Sequence, residues 1–149
     1  VIAIPWLAAL TRTALVDRKA ALPRHEMSER SARAVWVPNR NGVFIEIAAA
    51  HAESAGATRL VTGFNREEAA TFPDNSKAYV GAVNRSLAFS TANGVRVVSF
   101  TIDLDKRAIV RLGRRLRAPL EHIWPCYEGG RAWCGSCESC LRSLRALHG

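Results

Sequence analysis

Four cysteines, Cys126, Cys134, Cys137 and Cys140, are all the thiols of the sequence, and they stand in one C-x7-C-x2-C-x2-C run. Thiolates clustered this tightly suit a closed tetrahedral Zn²⁺ site, which holds structure and leaves no coordination position for chemistry. Gly135, inside the first C-x-x-C, lets the backbone turn around an ion. Leu141, Leu144 and Leu147 recur at helical spacing, so a short helix is expected to leave the site. A [4Fe–4S] cluster is the rival, because C-x2-C-x2-C also ligates iron. Disulfides fit poorly: three cysteines in succession leave one without a near mate, and V-I-A-I-P-W opens the chain with no basic region and no long apolar stretch of a secretory signal.

A second group of residues suits anions and polar rings. Lys106 falls in the first turn of an expected helix, where the macrodipole disfavours a cation by up to about 1 kcal/mol. A bound anion there would offset that cost, because free N–H groups at helix N-termini bind phosphate; a solvent-exposed lysine that tolerates the cost is the plain alternative. Arg40 in the helix-opening turn Pro38–Asn41 suits bidentate phosphate or carboxylate recognition, or simple pairing with a glutamate. Glu67, Glu68 and Asp74 could bind a cation or hydrogen-bond a polar ring, with Asp74 equally placed to cap a helix. His25 reads as a surface residue and His51 as a hydrogen-bonded core residue.

The elements that must position these groups follow from the pattern. The chain has 149 residues, enough for one core, and 48% apolar content argues for a folded protein. No apolar run is long enough to span a membrane. The net charge of +8 comes mostly from arginine, densest at Arg111, Arg114, Arg115 and Arg117, and is compatible with nucleic acid, with phosphorylated small molecules, or with neither, the arginines then forming a solvated helix face. Val1–Ile4 reads as the tail of a strand, Trp6–Leu15 as a short helix, and Asp17–Arg33 as an irregular excursion with a helical turn near Ser28–Arg33. A long, largely buried helix runs to about Ala55, with Phe44, Ile47, Ala48, His51, Ala52 and Ala55 on one face and Gly56 ending it. Arg59–Phe64 and Val95–Thr101 read as strands and Asn65–Pro73 as a loop. A helix from about Asn75 to Ser90 turns Val80, Val83 and Leu87 inward, Asn93-Gly94 makes a turn, and Asp105 caps a helix with Ile109, Leu112 and Leu116 buried. This alternation predicts an α/β fold with a parallel sheet. Ligands then bind beyond the C-terminal strand ends, where Pro38–Asn41, Asn65–Asp74 and Asp103–Lys106 should converge.

Four segments together carry a resemblance: V-P-N-R-N-G-V-F (Val37–Phe44), G-F-N-R-E-E-A-A-T-F-P-D-N-S (Gly63–Ser76), L-D-K-R-A-I-V-R-L-G (Leu104–Gly113), and W-P-C-Y-E-G-G with C-G-S-C-E-S-C-L (Trp124–Gly130, Cys134–Leu141). In this order they resemble the 7-cyano-7-deazaguanine synthases of queuosine biosynthesis. The resemblance implies a Rossmann-like ligase fold of the PP-loop ATP pyrophosphatase type. In such an enzyme ATP, expected with Mg²⁺, activates 7-carboxy-7-deazaguanine, and ammonia completes the nitrile. It implies one structural Zn²⁺ on Cys126, Cys134, Cys137 and Cys140, with Lys106 as the catalytic lysine beside the ATP phosphates. Arg40 and Asn41 match the nucleotide-side P-x-R-N element, and Phe72-Pro73-Asp74, with Asn65 at the head of the same segment, matches the substrate-side loop. A cytoplasmic homodimer contacting neither membrane nor nucleic acid is the implied setting. Two departures stand out. Asn39 stands where relatives often carry glycine, and no S-G-G-x-D-S phosphate loop occurs in the sequence, which begins at Val1. A truncated α/β domain over 1–120, a cysteine segment over 121–149, and no ATP turnover by this chain alone are therefore expected. The alternatives are a basic zinc module contacting tRNA or DNA through Arg107–Arg117, and a non-catalytic partner subunit.

Overall fold

A computed structural model describes residues 1–17 and 19–149; Arg18, inside the expected excursion 17–33, lies outside the described residues. Two compact units are formed: one is Asn39–Asp105, and the second is Val1–Pro38 with Lys106–Gly149.

The unit Asn39–Asp105 holds α3 (Arg40–Ser54), β1 (Arg59–Val61), α4 (Arg66–Ala69), α5 (Lys77–Ser90) and β2 (Arg96–Val98). The strands pair in parallel, Leu60 opposite Val97, as the α/β alternation requires. Both strands are shorter than expected, because only three residue pairs find a ladder partner. Val97 is buried and Leu60 is packed against the same core, while Arg59 and Arg96 face outward, the two-residue alternation of a strand. Ile45, Ala49, Val83, Leu87 and Val95 complete that core, with Val80 packed on it.

Helix α3 is rotated from the expected stripe. Ile45, Ala49 and Ala52 are buried, whereas Phe44 and His51 are exposed. The helix is apolar nearly all round, so periodicity could not select a face, and His51 is not a core residue. Gly56 follows the helix with φ 70°, the left-handed terminator that glycine supplies. Asn39, which precedes α3, is itself left-handed at φ 51°. That conformation explains why glycine or asparagine suits the position. The stretch 65–73 is not wholly a loop: Asn65 caps α4 by accepting from the Glu68 N–H at 2.9 Å. Asp74 is not the cap of α5; Ser76 is, accepting from the Tyr79 N–H at 3.1 Å, and Pro73–Asn75 forms a 3₁₀ turn before it.

The second unit contains α1 (Pro5–Ala9), α2 (Glu29–Ala34), α6 (Lys106–Arg115), a 3₁₀ turn Leu120–His122, and α7 (Glu138–His148). Val1–Ile4 forms no strand, since no partner strand flanks it among the described residues, and α1 ends at Ala9 rather than near Leu15. The turn expected near Ser28–Arg33 is α2, closed by a reciprocal capping box between Ser28 and Ser31. Helix α6 packs on α7. Its buried residue is Val110; Ile109 and Leu112 are half-buried, and Leu116, past the helix end, is exposed, correcting the expected stripe. Gly113 permits the approach of Leu120, whose Cδ2 would lie 3.0 Å from an added Cβ.

Candidate functional site

The cysteine run folds into a knot at the start of α7. Gly135 adopts φ 70°, turning the chain between Cys134 and Cys137 as the spacing demands. Cys126, Cys137 and Cys140 are buried and Cys134 is half-buried; all four thiols are free. Their Sγ atoms lie within 4.8 Å of one another, with Cys134 and Cys140 3.9 Å apart. A disulfide needs about 2.05 Å, while a tetrahedral ion with Zn–S bonds of about 2.3 Å sets its sulfurs about 3.8 Å apart. The four residues therefore fit a metal ion after a contraction of less than about 1 Å. Backbone N–H groups already point at sulfur: Cys134 donates to Cys126 Sγ and Cys137 to Cys134 Sγ, both at 3.3 Å.

The thiols are unequal. Backbone hydrogen bonding from Ser136, with further donors from Cys137, brings Cys134 down to about 6, whereas burial pushes Cys140 up to about 12. Around them lies a polar shell that periodicity and motif spacing did not single out. Arg24 donates to Ser136 Oγ at 2.8 Å and pairs with Glu128. Glu138, 3% exposed, receives the Ser31 hydroxyl at 3.2 Å and Arg142 at 2.6 Å. An acidic residue between Cys137 and Cys140, at the first turn of an emerging helix, was the available signal. Arg24, Leu22, Tyr127, Glu128 and Gly129 also line a cavity of about 740 Å³ in this unit.

In the other unit the segments following the two strands come together. The Arg66 N–H donates to Leu104 C=O at 2.9 Å, and the Arg66 side chain reaches Asp105 at 3.3 Å. Ser99 and Thr101 both donate to Phe64 C=O at 2.8 Å, and Lys77 pairs with Asp103 at 3.0 Å. The 3₁₀ turn holding Pro73 and Asp74 sits against α3, α4 and α5. Burial, reinforced by the carboxylates of Asp74 and Glu46, raises the Tyr79 phenol above its ordinary value. Thus Arg66, next to Asn65, and Lys77 are tied to 103–105, whereas Pro73 and Asp74 lie in the turn against the helices and the Phe72 N–H donates to Glu68 C=O at 2.7 Å. Asn65 is buried and its Oδ1 is engaged in the α4 cap, while Asp74 Oδ1 accepts from Asn75 at 3.1 Å. Arg40 and Asn41 are half-buried in the first turn of α3, and Lys106 is half-buried as the first residue of α6.

Comparison with known proteins follows the same residues. The family model described as queuosine biosynthesis protein QueC matches residues 1–149. The 7-cyano-7-deazaguanine synthase of Carboxydothermus hydrogenoformans is 54% identical over 155 residues, covering 100% of this chain and 72% of the relative. That of Pelotomaculum thermopropionicum is 53% identical over 154 residues, covering 98% and 70%. That of Bdellovibrio bacteriovorus is 49% identical over 155 residues, covering 99% and 67%.

Proposed function

The chain belongs to the QueC family of queuosine biosynthesis proteins, and from that membership we propose that its residues serve an ATP-dependent ligase that makes 7-cyano-7-deazaguanine from 7-carboxy-7-deazaguanine and ammonia. ATP, with Mg²⁺, would activate the carboxylate as a mixed phosphoric anhydride, releasing part of its phosphate chain. Ammonia would expel the phosphorus-bearing oxygen to give the amide. Activation of the amide oxygen by a second ATP would let that oxygen leave with its phosphorus group while the nitrogen loses its two protons, giving the nitrile. The observation that supports the reading is that the segments following the two parallel strands meet, with Arg66 N–H on Leu104 C=O and the Arg66 side chain on Asp105, at the strand edge where such sheets bind ligands. Lys106 neutralises phosphate charge at the start of α6, and Arg40 and Asn41 hold the nucleotide from the first turn of α3. Asn65, Phe72, Pro73 and Asp74 form the substrate side, Phe72 offering a ring face and Asp74 an acceptor.

The knot is assigned to one Zn²⁺ on Cys126, Cys134, Cys137 and Cys140, which supplies structure and no reacting group. Four free thiols suit the reducing cytoplasm. The 149 residues contain no S-G-G-x-D-S sequence. By themselves they are expected to leave ATP unconsumed, because backbone N–H groups of such a loop cradle phosphate.

The reading is tested with a chimera in which a segment carrying an S-G-G-x-D-S phosphate loop is joined ahead of Val1. Given ATP, Mg²⁺, [¹⁵N]ammonium and 7-carboxy-7-deazaguanine, it should yield a nitrile carrying one ¹⁵N by mass spectrometry. Substrate recovered unchanged, beside an active intact relative, would reject the assignment.

A further inference from the structure

The polar shell of the cysteine knot reaches a segment more than a hundred residues away in sequence. Arg24 pairs with Cys137 in an isolated antiparallel bridge. The His25 N–H donates to Ser136 C=O at 2.8 Å, and Arg24 Nη1 donates to Ser136 Oγ at 2.8 Å. Farther along, Ser31, fully buried in the capping box of α2, shares its hydroxyl proton between Ser28 C=O at 2.9 Å and Glu138 Oε2 at 3.2 Å. His25 is held at φ 55°, a conformation that costs a non-glycine residue free energy and persists only where surrounding contacts impose it. The backbone hydrogen bond of His25 comes from Ser136, in the loop between Cys134 and Cys140. Ser136 and Glu138 alternate with Cys137 and Cys140, so whatever fixes the sulfurs fixes both hydrogen-bonding positions. The same Arg24, with its partner Glu128, forms a wall of the 740 Å³ cavity.

We infer that the cysteine loop is a metal-dependent clamp on residues 24–32, and through Arg24 and Glu128 on the cavity wall that they share. Arg24, Ser136 and Glu138 are positioning residues: they transmit the order of the sulfurs to a segment that contributes no ligand to the ion. The inference rests on the reading of the knot as a metal site, and goes beyond it by naming what the metal organises.

Hydrogen exchange followed by mass spectrometry tests it on the 149-residue chain, with bound metal measured in parallel. Chelation of the metal should speed exchange of the amides of His25–Ala32 by about tenfold or more, while those of α5 keep their protection. In Glu138→Gln, with one ion per chain retained, the amides of Ser31 and Ala32 should exchange faster, and His25, held by Ser136, should change less. A chain that binds no ion rejects the metal reading and the clamp with it. An ion-bearing chain whose 25–32 amides ignore both chelation and Glu138→Gln keeps the metal reading and overturns the clamp. Equal loss of protection in both units on chelation also overturns it, since the metal then holds no segment in particular.

Discussion

Cys134 and Cys140 differ in what surrounds their sulfurs, and the difference is measurable. Hydrogen bonds to Cys134 stabilise its thiolate, so it takes up its proton only as pH falls through about 6. Burial keeps Cys140 protonated until about 12. At pH 7.5 in the chelated chain, iodoacetamide should modify Cys134 first and Cys140 last, as the thiolate is the nucleophile; mass mapping that finds Cys140 modified first contradicts this. Asn39 gives a second residue-scale expectation. Its left-handed backbone should make Asn39→Val cost about 1–2 kcal/mol of stability. Asn39→Gly should stay near neutral, relief of strain being offset by about 0.4–1 kcal/mol of added unfolded-chain entropy. Thermal melts of the two variants check both. Cysteine spacing made the knot legible, and Gly135 does what that spacing required. The position of Glu138 between two cysteines was visible in the sequence, but its partner Ser31 was not, because only the fold brings it near.

Among the elements, α5 does more than bury Val83 and Leu87. Its Asn84 accepts from the Val97 N–H at 2.7 Å and donates to Val97 C=O at 2.9 Å. One side-chain amide thus occupies the edge of β2 as a neighbouring strand would, satisfying groups otherwise open to foreign pairing. Asn84→Ala should cost about 1–3 kcal/mol in urea denaturation, from unpaired backbone groups beside the core; an unchanged midpoint would contradict the capping role. Strand and helix order was readable from the alternation of β-branched runs and 3.6-residue periods. Lengths and faces were not: α3 is apolar all round, so the choice of Ile45 over Phe44 depends on what packs against it. Likewise the α5 cap fell to Ser76, because Pro73 sets a 3₁₀ turn that places Asp74 two residues too early.

At the scale of the molecule, the α/β reading, the cysteine cluster and the family agree. No helix among the described residues is long and apolar enough to cross a membrane. The proposed ligand-side assignments rest on Arg40, Asn41, Lys106 and the segment 65–74, of which Lys106 is the most directly testable, since a bound anion would offset the cost of a cation in a first helical turn. The most direct measurement compares nitrile formation by the chimera with that of its Lys106→Ala form, at equal thermal stability. The account predicts product from the first and a loss of about 10²-fold or more in the second, the scale expected when a charge-stabilising group is removed. Equal turnover by the two, or no nitrile from the parent chimera, would contradict it.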